Sequence, residues 1–167
     1  MTRLHYFAYG SNMSTRRLRA RIPSAVYLAT AVLRGHEMRF HKIGSDGSAK
    51  CDAFATGDSN HRLFGVLFGI TAAEREVLDR YEGRGRGYER KPVVLDLPDG
   101  DTVEAFTYYA TRIDPALRPF GWYLEHVLCG AREHGLADSH VRLIETTPVI
   151  DDPDADRHER ELAIYLP

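Results

Sequence analysis

Long apolar runs are missing from this 167-residue chain. The longest, such as Ala31-Val32-Leu33, fall far short of the roughly 20 residues that a membrane-spanning helix needs. No basic segment followed by an apolar stretch opens the sequence, so no export signal is read in it, and cytoplasmic residence is the expectation. Cysteine is scarce, and Cys51 and Cys129 alone make no disulfide framework. Charge of one sign is scarce as well. The 22 Lys and Arg nearly balance the 24 Asp and Glu, for a formal net charge of −2, which argues against a dedicated nucleic-acid binder. Lysine is almost absent: only Lys42, Lys50 and Lys91 occur, so the other 19 of the 22 basic residues are arginine. Arginine favours planar, bidentate recognition of carboxylate and phosphate.

What is present is a folding chain. With 43% hydrophobic residues and little net charge, the composition is not that of a disordered protein. The length suits one domain spanning residues 1–167, large enough to bury a core and still carry a pocket. The segment 147–167 gives no element with a clear pattern.

Residues Leu4 to Tyr9 read as a strand, ended by Gly10-Ser11-Asn12. Ser14 or Thr15 then caps a short helix through Arg21, closed by Pro23. Ala25 to Leu33, Glu37 to Ile43, Cys51 to Thr56 and Arg62 to Ile70 read as strands. Thr71-x-x-Glu74 is a capping box and starts a helix running to about Tyr81. Tyr88 to Leu97 and Thr102 to Thr111 form a hairpin about Pro98-Asp99-Gly100. Pro119 to His134 fits an amphipathic helix stopped by Gly135, and Ser139 to Glu145 a further one. Strands come in runs with hairpin signals and do not alternate regularly with helices. That is an α+β pattern, with mostly antiparallel strands able to curl into a small barrel.

Two segments carry chemistry. A strand running into Gly10-Ser11-Asn12 and then a helix start can converge backbone N–H groups on an anion or oxyanion. The Ser11 hydroxyl and Asn12 amide add polar groups. The same segment also reads as an ordinary strand-to-helix turn. Ser11 is no hydrolase nucleophile by pattern, because its neighbours do not form G-x-S-x-G. The second segment is Tyr81-Glu82-Gly83. A Glu at a helix C-terminus meets the negative end of the macrodipole, which tends to raise a carboxyl pKa and suits a general base. Its plainer reading is a solvated Glu paired with Arg80, Arg84 or Arg86. The Gly83-Arg84-Gly85-Arg86-Gly87 stretch is not a dinucleotide fingerprint, since Tyr88 stands where the third Gly belongs. It reads as a basic loop able to bend over an acidic ligand, with Arg84 and Arg86 nearest in sequence, or as a mobile surface loop.

Tyr6-Phe7-Ala8-Tyr9-Gly10-Ser11-Asn12-Met13, the acidic Tyr81-Glu82-Gly83 with Gly87-Tyr88, Tyr108-Tyr109, Tyr123, and Gly130-Ala131-Arg132-Glu133-His134-Gly135-Leu136 occur in this order. Together they resemble the γ-glutamylcyclotransferase-like (AIG2-like) family over roughly residues 4–140. The Asn12 after Gly-Ser favours the branch acting on γ-glutamyl amino acids over the glutathione-specific one. The resemblance implies a small, mixed, mostly antiparallel barrel-like sheet with flanking helices. It implies a cofactor-independent cyclisation of the transferase or lyase type, tied to glutathione metabolism. A γ-glutamyl amino acid or amine would yield 5-oxoproline and the free amine. Glu82 would be the general acid/base, with Tyr9, Gly10, Ser11, Asn12, Met13, Tyr88, Tyr108 and Tyr123 binding substrate. Of the strand neighbours Tyr108 and Tyr109 only one can face inward, and Tyr108 is the choice. The implied partner is a small molecule, with no nucleic acid, membrane or metal, and a homodimer left open. Two alternatives stay open. One is removal of a γ-glutamyl group from a secondary metabolite or an ε-lysine conjugate. The other is a non-catalytic small-anion-binding module of the same fold.

Other signals are set aside. His36 and His41 are one residue too far apart for the zinc helix motif and lie in a strand pattern. Asp152-x-Asp154-x-Asp156 opens like a calcium loop, but Arg157 replaces its Gly and Ala163 its closing Glu, so a solvated acidic tail is expected. The run Arg16-Arg17-Leu18-Arg19-Ala20-Arg21 reads as a solvated helix face.

Overall fold

A computed structural model describes residues 2–167. Seven strands and five helices follow one another: β1 (Leu4–Ala8), α1 (Thr15–Arg21), β2 (Val26–Arg34), β3 (His36–Ile43), β4 (Ala49–Ala55), β5 (Arg62–Ile70), α2 (Ala72–Glu82), β6 (Tyr88–Asp96), β7 (Thr102–Ala110), α3 (Gly121–Glu133), α4 (Asp138–Glu145) and α5 (Ala155–Leu162). The α+β pattern read from the sequence is the fold observed.

Five strands close a barrel in the order β1-β5-β2-β6-β7. Neighbours pair antiparallel except at the seam, where β1 runs parallel to β7 and Tyr6 faces Phe106. Closure removes the unpaired edges that an open five-stranded sheet would expose. β5 lies between β1 and β2 and is buried over most of its length, which is why its sequence, Leu63 to Ile70, is almost continuously apolar. Its Gly65 has a steric reason. A Cβ there would lie 2.5 Å from the Ala8 carbonyl oxygen and from the Phe7 ring, so glycine lets β1 cross tightly. The hairpin β3–β4 stands outside the barrel as a two-stranded sheet. It is tied to the barrel where Asp52 Oδ1 accepts from the Ala110 amide at 2.7 Å.

The local signals at the helix ends are realised. Ser14 caps α1, accepting from the Arg17 amide. Thr71 and Glu74 form a reciprocal capping box on α2, which ends at Gly83 in the left-handed region, φ 63°. α3 buries Trp122, Tyr123, Val127 and Ala131 and packs against the loop that follows β1. At Gly130 a Cβ would lie 2.5 Å from Met13 Cβ and from the Ser14 amide. Only a glycine allows this approach, which presses α3 onto the loop.

The tail departs from expectation. Asp154 caps α5 by accepting from the Arg157 amide. The Asp152 side chain is buried, 1% exposed, and accepts from the Trp122 indole at 2.7 Å and from two Arg157 nitrogens at 2.6 Å each. Asp152 is therefore folded onto α3, whereas Asp151, Asp154 and Asp156 remain exposed as expected. Its partner Trp122 lies 30 residues upstream, beyond the reach of a local reading. No helix among the described residues is long and apolar enough to cross a membrane.

Candidate active site

The chain leaves β1 at Ala8 and makes a single 3₁₀ turn over Ser11–Met13 before α1 begins. The first amides of a helical turn have no partner within it. Accordingly the Ser11 and Asn12 N–H groups find no acceptor among the described residues. Gly10 is needed for packing. A side chain there would strike Cys51 Cβ at 3.0 Å and approach the Tyr123 hydroxyl at 3.5 Å. The loop thus lies flat on β4 and α3.

Glu82 is the last residue of α2 and comes to face this loop. Asn12 Nδ2 donates to Glu82 Oε1 at 2.9 Å and lies 3.1 Å from the Tyr6 hydroxyl. Arg21 closes the set, donating to Asn12 Oδ1 at 3.1 Å with the same nitrogen that stands 3.5 Å from Glu82 Oε1. The Glu82 side chain is only 16% exposed. One of its oxygens is anchored by an amide and a cation. The other, Oε2, has no hydrogen-bond partner among the described residues, and Glu82 lines a cavity.

That cavity is a small chamber of about 30 Å³, about the share of one water molecule in the liquid. Tyr9, Gly10, Ser11, Asn12, Glu82, Tyr88, Tyr108 and Tyr123 all line it. Eight of the nine residues singled out from the sequence are brought together across four strand and helix ends. Met13 is the exception. Its side chain is fully buried beneath α3 and does not reach the chamber. Tyr108 points inward, 2% exposed, while Tyr109 lies under Lys91. Two lining residues were missed, Tyr6 and Cys51. Strand alternation carried no signal for Tyr6, since Tyr6 and Tyr9 fall on opposite faces of the strand read over Leu4 to Tyr9.

The hydroxyls are not equivalent. Tyr9 donates to the Tyr108 carbonyl, Tyr88 to the Cys51 carbonyl and Tyr108 to Asp79 Oδ1. Their protons are taken. Tyr6 accepts from Asn12, and Tyr123 accepts from the Cys51 amide at 2.9 Å, which leaves those two hydroxyl protons to point elsewhere. Burial pushes all five phenols above their ordinary pKa, so each is a neutral donor near neutral pH. Burial also pushes the Cys51 thiol up to about 12. A nucleophilic thiolate is therefore not available from Cys51.

A wider cavity of about 210 Å³ adjoins the chamber and shares Ser11, Glu82, Tyr88 and Tyr123 with it. Its wall carries Arg17, Arg21, Lys42 and Lys50. This overturns two sequence expectations. Arg17 and Arg21 are not on a solvated face: their side chains are 13% and 18% exposed. They lie one turn apart, hence on the same side of α1, and Arg17 Nε donates to Ser11 Oγ at 3.1 Å. Conversely, Arg84 and Arg86 line neither cavity. The left-handed Gly83 turns the chain away, and Arg84 pairs with Asp79 and Glu89. A still larger hollow of about 340 Å³ lies between β2, the β6–β7 turn and the start of α4, lined by Arg34, Phe64, Asp96 and Leu97 among others. Within it Arg34 pairs with Asp96.

A family model described as gamma-glutamyl cyclotransferase, AIG2-like, matches residues 6–124. The chain is 29% identical over 135 residues to the gamma-glutamylcyclotransferase of Bos taurus, covering 78% of this chain and 71% of that protein. The Homo sapiens protein of the same name is also 29% identical over 135 residues, with the same coverage. A solved structure of a gamma-glutamyl cyclotransferase superposes with a TM-score of 0.85 at 22% identity, covering 95% of this chain and 96% of the other. That likeness is one of fold.

Proposed function

Because the chain belongs to the gamma-glutamyl cyclotransferase, AIG2-like family, we propose that it converts a γ-glutamyl amino acid or γ-glutamyl amine to 5-oxoproline and the free amine. The reaction is an intramolecular aminolysis. The α-amine nitrogen attacks the γ-carbonyl carbon of its own glutamyl group. A ring C–N bond forms, and the bond to the leaving nitrogen breaks. The proton shed by the attacking amine ends on the leaving amine, so the balance needs no redox partner.

Glu82 carries that proton. An α-ammonium has a pKa near 8, so freeing the amine at pH 7 costs only about 1.4 kcal/mol. Oε1 is held by Asn12, and the unpartnered Oε2 accepts the proton and passes it to the leaving nitrogen. A positioned acid/base of this kind contributes about 10²–10⁴-fold. The unpaired Ser11 and Asn12 amides receive the developing oxyanion, at a few kcal/mol per donor. Tyr6 and Tyr123 supply hydroxyl protons that orient the glutamyl group. The nucleophile is tethered to the electrophile, so the site mainly has to hold the folded-back conformer. The chamber has room for little more than the γ-carbonyl oxygen, so the rest of the glutamyl group and the leaving group lie in the wider cavity. Substrate is a small molecule, and the step as written uses no cofactor.

The observation that supports this most is the single carboxylate with one oxygen anchored and one free, set against unpaired amides. The direct test is incubation with γ-glutamyl-alanine, with 5-oxoproline and alanine quantified together. Equimolar appearance of both is the expected result. Saturable binding with neither product formed would make the protein a non-catalytic small-anion module.

A further inference from the structure

The four cations on the wall of the wider cavity are not equally free. Arg17 is paired with Glu161 at 2.8 Å, Arg21 stands 3.5 Å from Glu82, and Lys50 is paired with Asp46 at 2.8 Å. Lys42 has no carboxylate within ion-pair distance among the described residues. Its ammonium lies over the Tyr88 ring, 4.6 Å from the centroid, on one of the two tyrosines shared by chamber and cavity. Gly87 makes room for it: a Cβ there would lie 2.9 Å from Lys42 Nζ. The four cations of the wall thus meet three partner carboxylates, of which Asp46 and Glu82 line the cavity, and one positive charge is left in excess. An ammonium partly withdrawn from water and lacking a counter-ion is a standing attraction for one carboxylate.

We infer that Lys42 is a specificity-determining residue that receives the carboxylate of the leaving group, so that the protein selects γ-glutamyl substrates whose leaving amine is an amino acid. This rests on the cyclisation proposed above. Lys42 feels the Glu82 charge across the cavity. A leaving nitrogen that takes its proton from Glu82 carries its α-carboxylate two bonds farther out, toward the Lys42 side. A simple amine offers nothing to that ammonium. The scarcity of lysine gives the placement weight: two of the three lysines in the chain line this one cavity.

The test compares kcat/KM for γ-glutamyl-alanine and γ-glutamyl-ethylamide, read by 5-oxoproline release, in the native protein, Lys42→Met and Lys42→Arg. Methionine keeps the stem that packs on Gly87 and Tyr88, and thermal melting reports whether each variant is folded. A charge-assisted contact of this kind predicts about tenfold or greater preference for the alanine substrate. In Lys42→Met the ratio should collapse to within about threefold of unity, and Lys42→Arg should restore most of it. A native ratio near unity, or a ratio that survives Lys42→Met in folded protein, overturns the assignment. If neither substrate releases 5-oxoproline, the cyclisation itself is wrong and the role of Lys42 falls with it.

Discussion

Asn12 and Glu82, 70 residues apart in the chain, meet in a 2.9 Å hydrogen bond from the amide nitrogen to carboxylate oxygen Oε1. The bond fixes which oxygen is held and which is left free. Asn12 is in turn held by Arg21 through its own oxygen, so its amide orientation is set. A hydrogen bond to a charged group is worth about 1.5–3 kcal/mol. Asn12→Ala is therefore expected to lower kcat/KM for γ-glutamyl-alanine by about 10- to 100-fold. Steady-state 5-oxoproline release measures the loss, and circular dichroism should show an unchanged fold.

The tail supports the same loop from behind. Glu161 of α5 holds Arg17, and Arg17 holds the Ser11 hydroxyl. His126 bridges Glu161 and the Tyr165 hydroxyl, which reaches Ser14. The hydrogen bond from His126, with the Arg17 charge behind it, pushes the Glu161 carboxyl down to about 2. Glu161→Ala leaves Arg17 partly buried and unpaired. We expect it to cost about 1–2 kcal/mol in urea unfolding and to slow 5-oxoproline release several-fold. The depressed carboxyl stabilises the native protein above the ordinary Glu range. That part of the stability should fade as pH falls from about 4.5 toward 2, and Glu161→Ala should lack it.

A second acid-sensitive group lies away from the site. His140 in α4 is buried against Phe64, with Nε2 unpartnered, and burial lowers its pKa to about 4. The unfolded chain would protonate it near 6.5. A folded-state pKa below the unfolded one means stability that is whole above pH 6.5 and is lost as pH falls toward 4. The loss amounts to about 3 kcal/mol over the whole window. His126, whose pKa burial also lowers, steepens the slope in the same direction. Urea titrations at pH 7 and pH 4.5 should show a smaller loss in His140→Leu than in the native protein.

Local patterns proved most legible where the physics is local. The capping box at Thr71 and Glu74, the stop at Gly83, the hairpin about Gly100 and the apolar run of β5 each depend on residues close in sequence, and each stands where the pattern put it. What stayed hidden is settled by partners far away. Arg17 and Arg21 look like the rest of a basic helix until Glu161 and Glu82 arrive from 144 and 61 residues downstream to meet one side of it. Their one-turn spacing beside the Gly10-Ser11-Asn12 loop was the available signal. Arg84 misled for the opposite reason. It lies two residues from Glu82 in sequence, yet the left-handed glycine between them sends it to Asp79 and Glu89. The tail was opaque because Asp152 makes sense only beside Trp122.

The account turns on Glu82 moving the proton. The most direct measurement is the rate of 5-oxoproline release from γ-glutamyl-alanine by the native protein and by Glu82→Gln, both confirmed folded by thermal melting. Glutamine keeps the shape and the Asn12 contact but cannot accept a proton near neutral pH. The account predicts a fall of about 100-fold or more in kcat with the melting temperature little changed. Turnover by Glu82→Gln at the native rate would contradict it.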